Sequence, residues 1–424
     1  MEFRLTPRED ALRQEAHEWL LAELGTDHDS DPRPMPPGYM PARDFERKLG
    51  AKGWLALSWP VEYGGGGRPI KEQFLVEKEV ALHGGPASDA MSRVIVAPLL
   101  MHAASESQKQ RYLPEMARGE ATFCLGYSEP GSGSDLASLE TKAIRDGDDY
   151  VINGRKIWTS GAESSDYCWL AARTDPESSR HAGISMFVVP MKQPGIEIRP
   201  IVNLLDKQWF NEVVFEDVRV SVAERIGGEG EGWALLGSAL GVERITIYRA
   251  YVHWRTLIGA VRRAKAKGGD GWSRRVRQQV GGLRVEYEIA ELLLERAVQM
   301  HTEEREYRGQ AAMVKLFNTE FAQRLYETSL NLLGLYGPLT ENDPRAPYEG
   351  ATSHNFLSAV QETIGAGTSE VQRDLIAIRA LGLPRGESSS SRFSVSSDDS
   401  MLFCTTRDVT SSAPILPMKP NGGV

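Results

Sequence analysis

The chain has 424 residues, room for about two to four domains or one large layered fold, and its 41% hydrophobic and 25% charged content is that of a soluble globular protein. With 49 basic against 58 acidic residues the net charge is −9, which argues against a nucleic-acid partner, because phosphate neutralisation needs a basic excess. Three dispersed cysteines (Cys124, Cys168, Cys404) and eight scattered histidines without H-E-x-x-H spacing indicate neither a disulfide framework nor catalysis by a metal.

The segment Met1 to Asp10 mixes charges with isolated apolar residues, unlike a secretory signal or a transit peptide, and no run approaches a membrane span. A cytoplasmic protein is expected. From residue 5 to about 120 the apolar spacing is helical, as in Leu12, Ala16, Trp19 and Leu20, and again in Phe74, Leu75, Lys78 and Leu82. The Pro-rich stretch Asp31 to Pro41 reads as a surface loop, as does Trp59-Pro-Val-Glu-Tyr-Gly-Gly-Gly-Gly-Arg68, whose glycines lack the Gly-Lys-Ser/Thr of a phosphate loop.

From about 121 the chain turns to short β-branched and aromatic runs. Strands are expected over Ser165–Ala172, Gly183–Pro190, Ile196–Ile201 and Glu212–Val220, and Asn153-Gly154 within Tyr150 to Trp158 predicts a type I′ hairpin. Past the glycine-rich loop Gly227 to Gly232 the helical period returns and lasts to about Leu383, with Val285 to Met300 expected as a long helix burying one face. The basic run Arg262 to Lys267 reads as a solvated helix end. Residues 386–424 carry ten serines and no apolar periodicity, and are expected to be a disordered tail. The expected fold class is α+β with segregated layers: a helical domain over 1–120, a strand-rich domain over 121–226 and a helical domain over 227–385.

Two loops combine glycines with hydroxyls, Leu125-Gly-Tyr-Ser-Glu-Pro-Gly-Ser-Gly-Ser-Asp-Leu136 and Ile364-Gly-Ala-Gly-Thr-Ser-Glu-Val-Gln-Arg373. Each lets backbone amides and hydroxyl oxygens approach a phosphate or a flavin edge closely, though a turn followed by a capped helix has the same composition. Between them lies Lys156-Ile-Trp-Thr-Ser160.

Taken in this order, with Trp59-Pro-Val-Glu-Tyr-Gly-Gly upstream, these motifs make the chain resemble the acyl-CoA dehydrogenase family of flavoproteins from about residue 5 to 385. The resemblance implies an N-terminal all-α domain, a central β-barrel domain and a C-terminal four-helix bundle. It also implies FAD as cofactor, an acyl-CoA thioester as substrate, an electron-transfer flavoprotein as acceptor, and α,β-dehydrogenation. The Cα proton is weakly acidic, so that chemistry needs a polarised thioester oxygen and a positioned carboxylate base.

By the resemblance, Tyr127 and Ser128 contact the flavin ring and its edge, Trp158 covers one ring face, and Thr159 and Ser160 bond the edge. Ser134 lies by the CoA pantetheine or pyrophosphate, while Thr368 and Glu370 reach the FAD pyrophosphate and adenosine part. Many members carry the base directly before the Gly-Thr of the last motif, where this chain has Ala366. Others carry it in a Glu-Arg pair on the first long helix of the bundle, which here is Glu243-Arg244. Glu243 is therefore the expected base, Arg244 its support or the thioester's positioner, and the backbone at Ala366 and Gly367 the donor to the thioester oxygen.

Two further departures bear on assembly. Members bring an Arg-x-x-Phe-Gly element and a Gln-x-x-Gly-Gly-x-Gly element onto the FAD from a neighbouring subunit; this chain has Gly269-Asp-Gly-Trp-Ser-Arg-Arg-Val-Arg277 and Asn331-Leu-Leu-Gly-Leu-Tyr-Gly337 there. A homotetramer using Arg274, Arg275 or Arg277 and a heterotetramer with a second dehydrogenase-like chain both remain open. So do a partner subunit with little activity of its own, and an acyl-CoA oxidase or flavin monooxygenase on the same scaffold.

Overall fold

A computed structural model describes residues 5–25, 42–85, 91–178, 180–246, 250–267, 272–303 and 305–384, with residues 238–243, 246 and 252 given by their backbone only. The Pro-rich stretch 31–41, the serine-rich tail 386–424 and the side chain of Glu243 lie outside the described residues.

The first helix, α1 (Pro7–Leu24), begins at a reciprocal cap: Thr6 accepts from the Glu9 amide, and the Glu9 carboxylate accepts from the Thr6 amide at 2.8 Å. Such a cap is worth about 1 kcal/mol. Leu12, Ala16 and Leu20 fall on one face and are buried against Phe45 and Leu49 of α2 (Arg43–Ala51) and Val76 and Val80 of α3 (Ile70–Leu82). Helices α4 (Ala97–Ala103) and α5 (Glu106–Ala117) complete this layer.

The strands then follow: β1 (Phe123–Gly126), β2 (Lys142–Asp146), β3 (Asp149–Lys156), β4 (Tyr167–Arg173), β5 (Ile184–Pro190), β6 (Ile196–Ile201), β7 (Phe210–Ser221) and β8 (Arg225–Ile226). They form one mixed sheet in the order β6-β7-β3-β2-β4-β5-β8, with β1 added in parallel on β4. Four of the expected strands are present within two residues of their expected ends. The expected hairpin at Asn153-Gly154 is not: β3 runs straight through it. The long strand β7 pairs with β3 on both sides of that point and absorbs the dipeptide as a bulge between Ile152 and Gly154. A Cβ at Gly154 would lie 2.5 Å from the Thr141 hydroxyl, so close approach is the reason for the glycine. The actual turn is Gly147-Asp148, with Gly147 at φ 64 and Asp146 opposite Asp149.

The bundle comprises α6 (Gly232–Thr246), α7 (Ala250–Lys267), α8 (Arg274–Thr302), α9 (Arg308–Leu333), α10 (Ala351–Glu362) and α11 (Ser369–Leu375). Helix α9 is its axis and packs on α6, α7, α8, α10 and α11. The face of α8 differs from expectation. Ala290, Leu294, Ala297 and Val298 are buried, but Val285, Ile289 and Leu292 form an exposed stripe. The basic run at the end of α7 is folded onto aromatic rings: Lys265 lies 4.8 Å from the Trp272 ring centroid and Lys267 4.7 Å from that of Tyr336.

A continuous core joins the layers, with Leu99, Leu100 and Tyr112 packed with Trp169 and Met186 of the sheet and Leu235 and Leu236 of α6. Among the described residues, no helix is long and apolar enough to cross a membrane.

Candidate functional site

Strand β1 ends where Gly126 passes Cys168, so close that a Cβ at Gly126 would lie 2.7 Å from the sulfur. The chain leaves the sheet there as Tyr127-Ser128. The end of β3 is tied to this exit: the Ile157 amide donates to the Ser128 carbonyl at 2.9 Å, and Lys156 Nζ donates to the Tyr127 carbonyl at 3.0 Å. Lys156 is fully buried and also meets Glu129 Oε1 at 2.7 Å. Glu129 in turn accepts from the amides of Glu140 and Thr141 at 2.6 and 2.9 Å. Burial pushes the Glu129 carboxyl up, but the Lys156 ammonium with the Thr141 and Glu140 donors outweighs it and holds the group below the usual carboxylate range. This buried pair was not singled out from the sequence, and it fixes the hydroxyl-rich loop beside the Trp158 segment.

Trp158 is held at φ 61, a left-handed conformation costly for an aromatic residue, and its side chain is 57% exposed. Its ring meets that of Phe210 edge to face, at 6.0 Å and 85°. Thr159 follows with its backbone paired to Asn211 in both directions, at 3.0 and 3.1 Å. Its hydroxyl is buried with no hydrogen-bond partner among the described residues. Ser160 is half-buried. An open indole face, an unpaired hydroxyl and a backbone strained to present them fit a planar polar heterocycle such as isoalloxazine.

The second cluster lies in the bundle. Ala366 at φ 54 and Gly367 at φ 90 form a left-handed turn ahead of α11, which Thr368 caps by accepting from the Val371 amide at 3.3 Å. Buried Gln372 clamps the turn, donating to the carbonyls of Ala366 and Gly367 at 3.1 and 2.9 Å. A Cβ at Gly367 would lie 2.7 Å from that amide nitrogen and 3.7 Å from a guanidinium nitrogen of Arg244. The structure thus brings buried Arg244 of α6 against the Ala366-Gly367 turn, and Glu243 precedes it on the same helix. Glu370 is exposed, its carboxyl held below the usual range by its own backbone amide and the Thr368 hydroxyl.

Beside Thr368 and Glu370 an open groove of about 630 Å³ runs along α9, lined also by Gln323, Arg324 and Arg373. A second groove of about 590 Å³ opens at the start of α6, where Trp233 stacks on His181 at 4.2 Å with His102 nearby. Ser134 is exposed on the hydroxyl-rich loop, next to Asp135, which pairs with Arg180 at 2.5 Å. Tyr127, Ser128 and the Trp158 segment therefore form one group, and Arg244, Ala366, Gly367, Thr368 and Glu370 another. Trp209, just ahead of β7, links the strand-rich layer to the bundle: its carbonyl accepts from the Gly161 amide at 3.1 Å, and its ring meets His354 of α10 at 5.2 Å.

Comparison with known proteins identifies the family. The acyl-CoA dehydrogenase N-terminal, middle and C-terminal domain models match residues 6–120, 124–218 and 230–381 in turn. The acyl-CoA dehydrogenase FadE26 of Mycobacterium tuberculosis is 34% identical, over 91% of this chain and 99% of that protein. Among solved structures, the Tcur3481-Tcur3483 steroid ACAD matches with TM-score 0.82 and 34% identity, over 91% of this chain and all of the other. The ChsE4-ChsE5 complex of M. tuberculosis matches at 0.80 with the same identity and coverage. With three domain models in chain order and relatives matched nearly end to end, the chain belongs to the acyl-CoA dehydrogenase family of FAD-dependent oxidoreductases.

Proposed function

We propose that the chain catalyses α,β-dehydrogenation of an acyl-CoA thioester with Glu243 as base. The observation that carries this reading is the placement of buried Arg244 against the Ala366-Gly367 turn. The turn has no carboxylate of its own, and the residue before Arg244 in the chain is Glu243. When bound, FAD would supply the acceptor for the hydride from Cβ, and an electron-transfer flavoprotein is the proposed onward acceptor.

This chain's residues do the rest. Tyr127 and Ser128 seat the flavin ring, Trp158 shields one face from water, and Thr159 and Ser160 bond its polar edge. Thr368 and Glu370 hold the pyrophosphate and adenosine part, and Ser134 lies along the CoA. The Ala366-Gly367 backbone holds the thioester oxygen, lowering the cost of the enolate-like charge that develops as Glu243 removes the Cα proton. Arg244 orients the base and the thioester.

The acyl group to test first is a bulky, steroid-type one, since a neighbour of 34% identity is described as a steroid ACAD. The active species is a tetramer, and its exposed Val285, Ile289 and Leu292 stripe supports burial against another chain. The absent Arg-x-x-Phe-Gly element favours a second, different dehydrogenase-like chain as the source of the remaining FAD contacts.

Flavin content and native mass, measured with the chain expressed alone, test the assembly. Little flavin that rises to stoichiometric on co-expression with a dehydrogenase-like partner is expected. One FAD per chain in a homotetramer would instead place all contacts within copies of this chain. A second reading, a partner subunit with little activity of its own, draws on the same missing element.

A further inference from the structure

A cluster in the N-terminal helical layer, separate from the residues assigned above, has the donors of a metal centre. Glu79 in the last turn of α3 and His83, its C-cap residue, are four positions apart and so share a face. His17 reaches the same point from α1, 66 positions away from His83 in sequence. His17 Nδ1 and His83 Nε2 are 3.0 Å apart, and Glu79 Oε2 lies 3.8 Å from the first and 3.9 Å from the second. The two rings meet edge to face, their planes at 63°.

We propose that His17, Glu79 and His83 form a three-ligand site for a divalent transition metal ion of the zinc class, which clamps α1 to α3. Bonds of about 2.0–2.1 Å in a tetrahedral arrangement place ligand atoms about 3.3 Å apart, and the three observed separations bracket that value. Two imidazoles and one carboxylate suit zinc and its neighbours, whereas calcium and magnesium take oxygen ligands almost exclusively.

Burial is graded in the way a bound ion needs. The side chains of His83 and Glu79 are 0% and 6% exposed, which keeps water from competing for two of the ligands. The His17 side chain is 34% exposed, leaving an entry path and a position for a water as fourth ligand. Such a clamp ties together segments that are distant in sequence, so ion binding stabilises the folded state. It also fixes the end of α3 that Arg255 of α7 grips through the Ala81 carbonyl at 3.0 Å, so its effect extends to the bundle.

The test uses the tag-free full-length chain, stripped with a chelator and titrated with Zn²⁺ by calorimetry. One equivalent per chain is expected, together with a thermal midpoint that rises on loading and falls back with chelator. Co²⁺ in place of Zn²⁺ should give the visible absorption of a tetrahedral site. His17→Gln, at the most exposed ligand, and Glu79→Gln should each weaken Zn²⁺ binding by about tenfold or more. The far-UV circular dichroism of His17→Gln, recorded alongside the wild type without metal, reports whether its fold is intact. Failure of the wild type to bind Zn²⁺ saturably, or binding equally tight in both variants, overturns the proposal.

Discussion

Trp158 sits where packing alone would not place it, at φ 61 with more than half of its surface open to solvent. A left-handed aromatic persists only where its surroundings hold it, and here the buried Lys156 and the Thr159–Asn211 pairing fix the backbone on both sides. Trp158→Ala should therefore change stability by less than about 1 kcal/mol while weakening flavin binding by about tenfold, read by equilibrium dialysis. A large drop in melting temperature with unchanged flavin affinity would make the indole a structural element. The Lys156–Glu129 pair predicts the opposite pattern. Glu129→Gln leaves a buried ammonium without its counter-charge and should cost about 3–5 kcal/mol in denaturant unfolding. Because the folded-state pKa of Glu129 lies below its ordinary value of 4.5, its stabilisation is complete above that pH. It is lost as pH falls through the lower folded value, so the variant's deficit should shrink in acid. Trp158 was legible in the sequence because its neighbours form a contiguous motif. The pair was not, since a lysine this deep runs against its type and its partner is 27 positions away.

At the scale of elements, the helices were legible where apolar spacing repeats, as at Leu12, Ala16 and Leu20, and strands where β-branched runs are bounded by turns. Asn153-Gly154 misled because the dipeptide that closes a hairpin also suits a bulge, and only the length of β7 decides between them. The face of α8 misled because periodicity reports an apolar stripe without saying what covers it. If that stripe is an interface, Ile289→Glu should lower the native mass of the assembly by light scattering and leave the helix content unchanged; an unaltered mass would mean the stripe is merely exposed. The bundle core carries another element-scale consequence. Burial pushes Glu362 of α10 up to about 8 and His253 of α7 down to about 4, with Glu362 facing Lys315 of α9 and His253 bonded to the Tyr326 hydroxyl at 2.7 Å. The raised carboxyl favours folding below its unfolded value and loses that contribution as pH rises toward 8, while the depressed imidazole loses its own as pH falls from 6.5 toward 4. Glu362→Gln should consequently gain stability relative to wild type as pH rises from about 4.5 to about 8, followed by thermal unfolding. A constant difference across that range would contradict the assigned charge state.

Across the whole molecule, the order helices, strands, helices was legible because the hydrophobic period itself changes near residues 121 and 227. How the layers meet was not, since it rests on contacts such as Trp209 on His354 and Arg244 on the Gly367 turn, each made between residues more than a hundred positions apart. The second of those contacts brings α6 to a turn that lacks a carboxylate, and the proposal that Glu243 takes the Cα proton rests on it. The most direct test is anaerobic mixing of the fully flavinated assembly with acyl-CoA thioesters, a steroid-type one among them, following the flavin absorbance for wild type and Glu243→Gln. The account predicts rapid bleaching by a competent thioester in the wild type and a rate lower by about 10²–10⁴-fold in the variant, with flavin content unchanged. Bleaching of the variant at the wild-type rate would contradict it.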